Sequence, residues 1–277
     1  MSYVELNKRY RSPGENRGEQ LGTIALISDI HSNYQALIPV LAHIDRLEVD
    51  QVAFIGDLVD YGPEPAQCIQ AMREREIIGI QGNHDAAVVG EISLEDFPIP
   101  MHASLQWTNQ VLNEIDLRYL TDLPQSLRLP WGILHHGSPH DSLWHRVQNT
   151  SAATMIFRFT KESLYVVGHT HFPGAFCYNA RKQVKMVPVH MRTVDTHGLA
   201  TKTLVLEEGC RYIINPGSVG QPRDGDPRAS FAVVSLEDTR VDSVTWYKVP
   251  YDAEITRSKI LAHGLPQING DRLLVGK

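Results

Sequence analysis

The chain has 277 residues, 42% hydrophobic and 21% charged, enough apolar material for one large core and far from the composition of a disordered or collagen-like chain. Twenty-six Lys and Arg against 32 Asp and Glu leave a formal charge of −6, which argues against non-specific nucleic-acid binding or an anionic membrane held by a broadly basic surface. No apolar run approaches the ~18 residues of a membrane span, and the N-terminus lacks the apolar stretch of a secretory signal, so a cytoplasmic location is expected. Cys68, Cys177 and Cys210 are widely separated and lack CxxC spacing, which fits reduced packing residues rather than disulfides or a thiolate zinc site.

Residues 1–20 are polar and read as an extension; a single domain is expected over 21–252, followed by a C-terminal helix and tail over 253–277. Thr23 to Ser28 is a short apolar run of the kind a strand buried on both faces requires, and a helical pattern follows from Ser32 to Leu47. Val52 to Ile55 and Ile77 to Ile80 repeat the strand signal around a helix over 64–75, an alternation that predicts a parallel core sheet. A helical insertion is expected over about 94–120, with one helix across 101–118. Seven short strand candidates follow, at Gly132–His136, Leu164–Val167, Val184–His190, Thr203–Leu206, Tyr212–Ile214, Phe231–Leu236 and Val241–Val249, and imply a second, largely antiparallel sheet. The expected fold class is α/β, a four-layer α/β/β/α sandwich of two mixed sheets.

Five of the apolar runs end in residues able to bind a metal: Asp29-Ile30-His31, Gly56-Asp57-Leu58-Val59-Asp60, Gly82-Asn83-His84-Asp85, His135-His136-Gly137 and Gly168-His169-Thr170-His171. Loops beyond the carboxyl ends of parallel strands converge, so five such ends point to one site. Residues i and i+2 of an extended chain face the same way, which lets Asp29 join His31 and His169 join His171 and sends His135 and His136 to opposite sides. Taken singly, each fragment is as well read as a cap, a turn or a buried histidine. Taken together, so many imidazoles and carboxylates buried near one another without ions would carry large desolvation and like-charge costs.

In this order the motifs DxH, GDxxD, GNH(D/E), HG and GHxH resemble the calcineurin-like metallophosphoesterase superfamily, and the stretch from Asn215 to Arg223 resembles a loop of its small bacterial phosphodiesterase-like branch. The resemblance covers about residues 23–250. It implies two divalent ions, one held by Asp29, His31 and His171, the other by Asn83, His136 and His169, with Asp57 between them. An imidazole and carboxylate set without thiolates suits manganese, iron, zinc, nickel or cobalt. The resemblance also implies His84 as general acid oriented by Asp60.

Those implications describe a metal-dependent phosphoesterase in which a metal-bridging hydroxide attacks a phosphodiester or small phosphorylated metabolite. In the protein phosphatase and dinucleotide-tetraphosphatase branches an Arg follows GDxVD; here Tyr61 stands there, and a neutral phenol favours a diester over a monoester dianion. Arg223 is a candidate cation for the phosphate from another loop. Asn33 is placed to meet a phosphate oxygen or, equally, to cap the following helix. Trp107, Trp131 and Trp144 read as packing before a base-binding wall. The alternatives are a phosphomonoesterase or dinucleoside polyphosphate hydrolase, and a non-catalytic protein-binding scaffold, which would be expected to have lost ligands or the acid.

Overall fold

The computed structural model describes residues 22–189, 191, 198–238 and 240–277; the extension expected over 1–20 and the strand end at His190 lie outside the described residues. Strands β1 (Thr23–Ile27), β2 (Gln51–Ile55) and β3 (Ile78–Ile80) run parallel, linked by helices α1 (Tyr34–Arg46) and α2 (Pro65–Glu74). The helix starts follow from local chemistry. Asn33 caps α1 by accepting from the Ala36 amide, and Pro65 occupies the first turn of α2, where its missing N–H costs nothing. Beyond β3 come α3 (Asn83–Val88), α4 (Ile99–Val111) and α5 (Glu114–Thr121). The single helix expected over 101–118 is therefore two, because Asn113 turns its side chain onto the amides of Ile115 and Asp116 and starts a new helix.

The remaining strands are β4 (Ser126–Leu129), β5 (Gly132–His135), β6 (Leu164–Val167), β7 (Gly174–Tyr178), β8 (Val184–Pro188), β9 (Ala200–Val205), β10 (Arg211–Asn215), β11 (Ala229–Glu237) and β12 (Arg240–Val249). They divide between two mixed sheets, ordered β3-β2-β1-β11-β12-β9 and β4-β5-β6-β10-β7-β8. The expectation that the later strands form one largely antiparallel sheet is corrected. β11 pairs antiparallel with β1 and carries β12 and β9 into the first sheet, while β5, β6 and β10 are parallel within the second. A short run buried on both faces reads alike in either sheet, and only its pairing separates the two.

Alternation within β1 sets the layers. Ala25 and Ile27 pack with Leu37, Val40 and Ile69 of α1 and α2, while Ile24 and Leu26 join Leu134, Val166, Ile214 and Trp246 between the sheets. On the outer face of the second sheet, helix α6 (Thr150–Phe159) buries Ala153, Ile156 and Phe157 against Tyr165, Phe176 and Ile213. Helix, sheet, sheet and helix thus make the four layers expected. The C-terminal residues fold back as α7 (Ala253–Ala262), α8 (Gln267–Asp271) and a 3-10 turn (Arg272–Leu274). They dock through Thr256, whose hydroxyl donates to Asn33 at 2.9 Å, and through Lys259, which pairs with Glu64 at 2.6 Å.

Candidate metal centre

The loops after β1, β2, β3, β5 and β6 bring the acids and histidines of five motifs together. Asp29, His31, Asp57, His169 and His171 all have positive φ, between 47° and 64°. They sit in tight left-handed turns just past the strand ends, so the i, i+2 pairs converge by turn geometry and not by the extended alternation expected. Such a conformation costs a non-glycine residue about 1–2 kcal/mol. Backbone bonds hold the turns, with the amides of Asp29 and His31 donating to the carbonyls of Gly56 and Asp57 at 3.1 and 3.0 Å.

Two groups of ligand atoms result, each within 4.8 Å of one another: Asp29, His31, Asp57 and His171, and Asp57, His136 and His169. Asn83 adds its Oδ1 3.2 Å from His136 Nε2. Three histidines spend Nδ1–H on a backbone carbonyl, His31 on Val59, His136 on Ile55 and His171 on Gln221, which turns each Nε2 inward. His169 is reversed, with Nδ1 3.2 Å from His136 Nε2. His135 faces the other way, toward Ser142 Oγ at 3.2 Å.

The charges are arranged for cations. Burial pushes Asp29 up to about 7 against the pull of His136. Burial also works to raise Asp57, but the charges of His136 and His84 outweigh it and hold that carboxyl well below its ordinary value. Burial keeps His31 and His171 neutral, their pKa well below the usual imidazole range, and with the charge of His136 lowers His169 to about 2. His136 stands at about 9, since Asp57 more than offsets its burial. Asp57 Oδ2 is buried without a hydrogen-bond partner, and His136 Nε2, 3.1 Å away, is placed for an ion pair without hydrogen-bond alignment. An orphaned carboxylate oxygen ringed by imidazole and amide lone pairs fits divalent metal ions.

The family model described as the calcineurin-like phosphoesterase superfamily domain matches residues 23–239. The chain belongs to the calcineurin-like phosphoesterase superfamily. Among its relatives, the uncharacterized protein MJ0912 of Methanocaldococcus jannaschii is 32% identical over 259 residues, spanning 92% of this chain and 98% of that one. A crystal structure of a metallophosphoesterase from Sphaerobacter thermophilus superposes with a TM-score of 0.76 at 34% identity, over 93% of this chain and all of the other. A putative serine/threonine-protein phosphatase of Caenorhabditis elegans shares a shorter stretch, 30% identical over 83 residues.

Around the two candidate ligand groups, His84 directs Nδ1 to Asp60 Oδ2 at 2.7 Å and leaves Nε2 4.0 Å from Asp57 Oδ2. Tyr61 lies between His31 and His84, 4.6 Å from each ring, with its hydroxyl donating to Met101 Sδ at 3.4 Å. Asn33 is wholly engaged elsewhere: its amide donates to Gly220 O and Tyr251 Oη, and its oxygen accepts from Ala36 N and Thr256 Oγ1. Of its two readings, the structure gives it the cap. Trp131 is buried between the sheets and Trp107 packs on His263, whereas Trp144 packs at a tilt against Phe97, itself edge-on to His84.

Sequence reasoning missed several neighbours. Arg146 donates from Nε to His169 Nε2 at 3.1 Å, from a loop where no pattern marks it. Asp85, which the sequence places in the third motif without a role of its own, accepts from the amides of Gly82 and Val59 and so ties that motif to the second. Arg272, from the C-terminal turn, reaches Gln221 Oε1.

Proposed function

We propose that this phosphoesterase is a two-metal hydrolase acting on a phosphodiester or another small phosphorylated metabolite. The observation that carries the reading is the membership of Asp57 in both ligand groups, with one buried oxygen that no hydrogen bond satisfies. Asp29, His31 and His171 would hold one ion, Asn83, His136 and His169 the other, and Asp57 both. The donor set holds no thiolate and suits manganese, iron, zinc, nickel or cobalt. Ions bound there supply Lewis acidity toward phosphoryl oxygens and lower the pKa of coordinated water.

The chain's own residues do the rest. Asp29 and Asp57 together offer two negative charges, fewer than two divalent ions carry, so the pocket attracts an anion although the protein as a whole is negative. His84, with a pKa raised because Asp57 and Asp60 outweigh its burial, holds a proton for the departing oxygen, and Asp60 fixes the ring. Tyr61 presents an aromatic face where phosphatase relatives carry a cation, and burial pushes its phenol up, so it stays neutral. That favours the single charge of a diester over a monoester dianion.

The test is a substrate panel on metal-reconstituted protein, comparing aryl diesters, aryl monoesters, cyclic nucleotides and dinucleoside polyphosphates. Diesters are expected to give the highest kcat/KM. A strong monoester preference would overturn the reading of Tyr61, and protein that takes up no metal would favour a binding scaffold.

A further inference from the structure

Two guanidinium groups meet beside the centre with no acidic side chain between them. Arg223, in the loop after β10, donates from Nη2 to Gln221 Oε1 at 2.7 Å, and Arg272 donates from Nη1 to the same oxygen at 3.3 Å. Arg272 is braced by a second bond, Nε to Lys277 O at 2.6 Å. Gln221 is in turn fixed to the centre, since its carbonyl accepts from His171 Nδ1 at 2.6 Å. Among the described residues neither guanidinium pairs with an Asp or Glu side chain. The acids of the same loop are committed elsewhere, Asp224 to Lys248 at 2.8 Å and Asp226 to Arg228 at 2.6 Å.

Arg223 Nε is buried and has no hydrogen-bond partner, an unsatisfied donor that ordinarily costs about 1–3 kcal/mol. Both guanidinium groups bond Gln221 Oε1, and the carbonyl of the same residue accepts from His171 Nδ1, which places the pair beside the first ligand group. Beside a second guanidinium, the orphaned Arg223 donor is unfavourable until an acceptor arrives, and a guanidinium fork matches a carboxylate or phosphoryl group.

We propose that Arg223 and Arg272 form a second anion subsite, and that the substrate is a phosphoester bearing a further carboxylate or phosphoryl group away from the scissile bond. The proposal rests on the phosphoester-hydrolysis reading above and adds the substrate's second charge to it. It also gives the C-terminal segment a purpose. Thr256 on Asn33, Lys259 on Glu64 and Asn269 on the Tyr61 carbonyl at 3.5 Å hold α7 and α8 against the loops of the centre and deliver Arg272 to its edge.

Three p-nitrophenyl diesters with one leaving group test this on the metal-loaded protein: butyl, 3-carboxypropyl and 3-phosphonopropyl p-nitrophenyl phosphate. At least one charged ester is expected to exceed the butyl ester about tenfold or more in kcat/KM, through KM, as a charge-assisted contact would provide. The better of the two names the anion. Arg272→Gln should abolish that advantage and Arg272→Lys should keep part of it, with folding checked by circular dichroism. Equal rates on all three esters, or an advantage that survives both Arg272→Gln and Arg223→Gln, would overturn the subsite. Should the protein hydrolyse no ester, calorimetric titration of metal-free protein with inorganic phosphate decides. Binding weakened about tenfold by Arg272→Gln would leave the subsite standing while the hydrolase reading falls, and absent or variant-independent binding would remove the subsite.

Discussion

His31 Nε2 and His171 Nε2 face each other across 3.3 Å, although 140 residues separate them in the chain. Each ring has given its Nδ1 hydrogen to a carbonyl, Val59 at 3.2 Å and Gln221 at 2.6 Å, so two lone pairs meet where only a proton or a cation relieves them. Burial holds both rings neutral, which disfavours the proton. Asp57 Oδ2 completes the arrangement 3.6 Å from His31 Nε2, leaving a cation as the group that satisfies all three.

Asp57→Asn keeps the shape of this side chain and removes its charge from both ligand groups. Metal affinity is expected to fall by at least about 10–100-fold, the scale of lesser changes around metal sites, with loss of one or both ions on dialysis. Elemental analysis of the dialysed variant checks it. Retention of both ions would remove Asp57 from the shared position.

His84 stands apart from the two ligand groups, so His84→Ala should retain bound metal. Turnover of alkyl phosphodiesters should drop by about 100-fold or more, and that of aryl diesters by less, because a good leaving group needs no proton. The raised pKa fixes the direction of the pH profile: the proton-donating form persists to higher pH than for a free imidazole, and activity falls as pH climbs through that raised value. Asp60→Asn withdraws one of the charges responsible, so the alkaline limb should move to lower pH. An unmoved limb would show that another group sets it.

The clustering of these acids and histidines was legible because each belongs to a local motif that closes a short apolar run, and because parallel strands deliver their carboxyl ends to one edge. Alternation sends His135 and His136 to opposite sides without choosing between them; the choice of His136 comes with the resemblance, from its place before Gly137, and His136 is the one that lies beside Asn83. Arg272 could not be read this way. Its place depends on α7 and α8 folding back onto Asn33 and Tyr61, contacts more than 200 residues apart in sequence. Nor did β11 announce its partner: its apolar run would have suited either sheet, and the register Thr23 with Ser235 settles it. The positive φ values of Asp29 and His31 also escaped notice, as neither residue is of the glycine type that usually marks them.

Metal uptake should release protons. With His136 at about 9 and Asp29 at about 7, both hold protons to some extent at pH 7, and a ligand atom must lose its proton to coordinate. Binding at pH 7 is expected to release about one to two protons, fewer as pH approaches the His136 value, and affinity should rise with pH over that range. Calorimetry in buffers of different ionisation enthalpy measures the number directly. Release near zero at pH 7 would mean that Asp57 does not hold His136 in its charged form.

Gly56 separates two effects of a glycine. Its φ is +76°, and a Cβ there would lie 2.6 Å from His136 Nδ1 and 2.8 Å from Gly82 Cα, whereas Gly90 has nearly the same φ, +78°, and open space around it. Gly56→Ala therefore combines backbone strain with a collision against a ligand ring whose Nδ1 is bonded to Ile55 O at 2.8 Å. It is expected to cost about 1–3 kcal/mol of stability from overpacking beyond the backbone cost, and to weaken metal binding by displacing His136. Gly90→Ala should show only the backbone cost, roughly 1–2 kcal/mol, with metal binding intact. Melting of the metal-free variants followed by metal titration distinguishes them. Equal metal affinity in the two would mean that the His136 ring yields to the extra methyl without losing its place at Asp57.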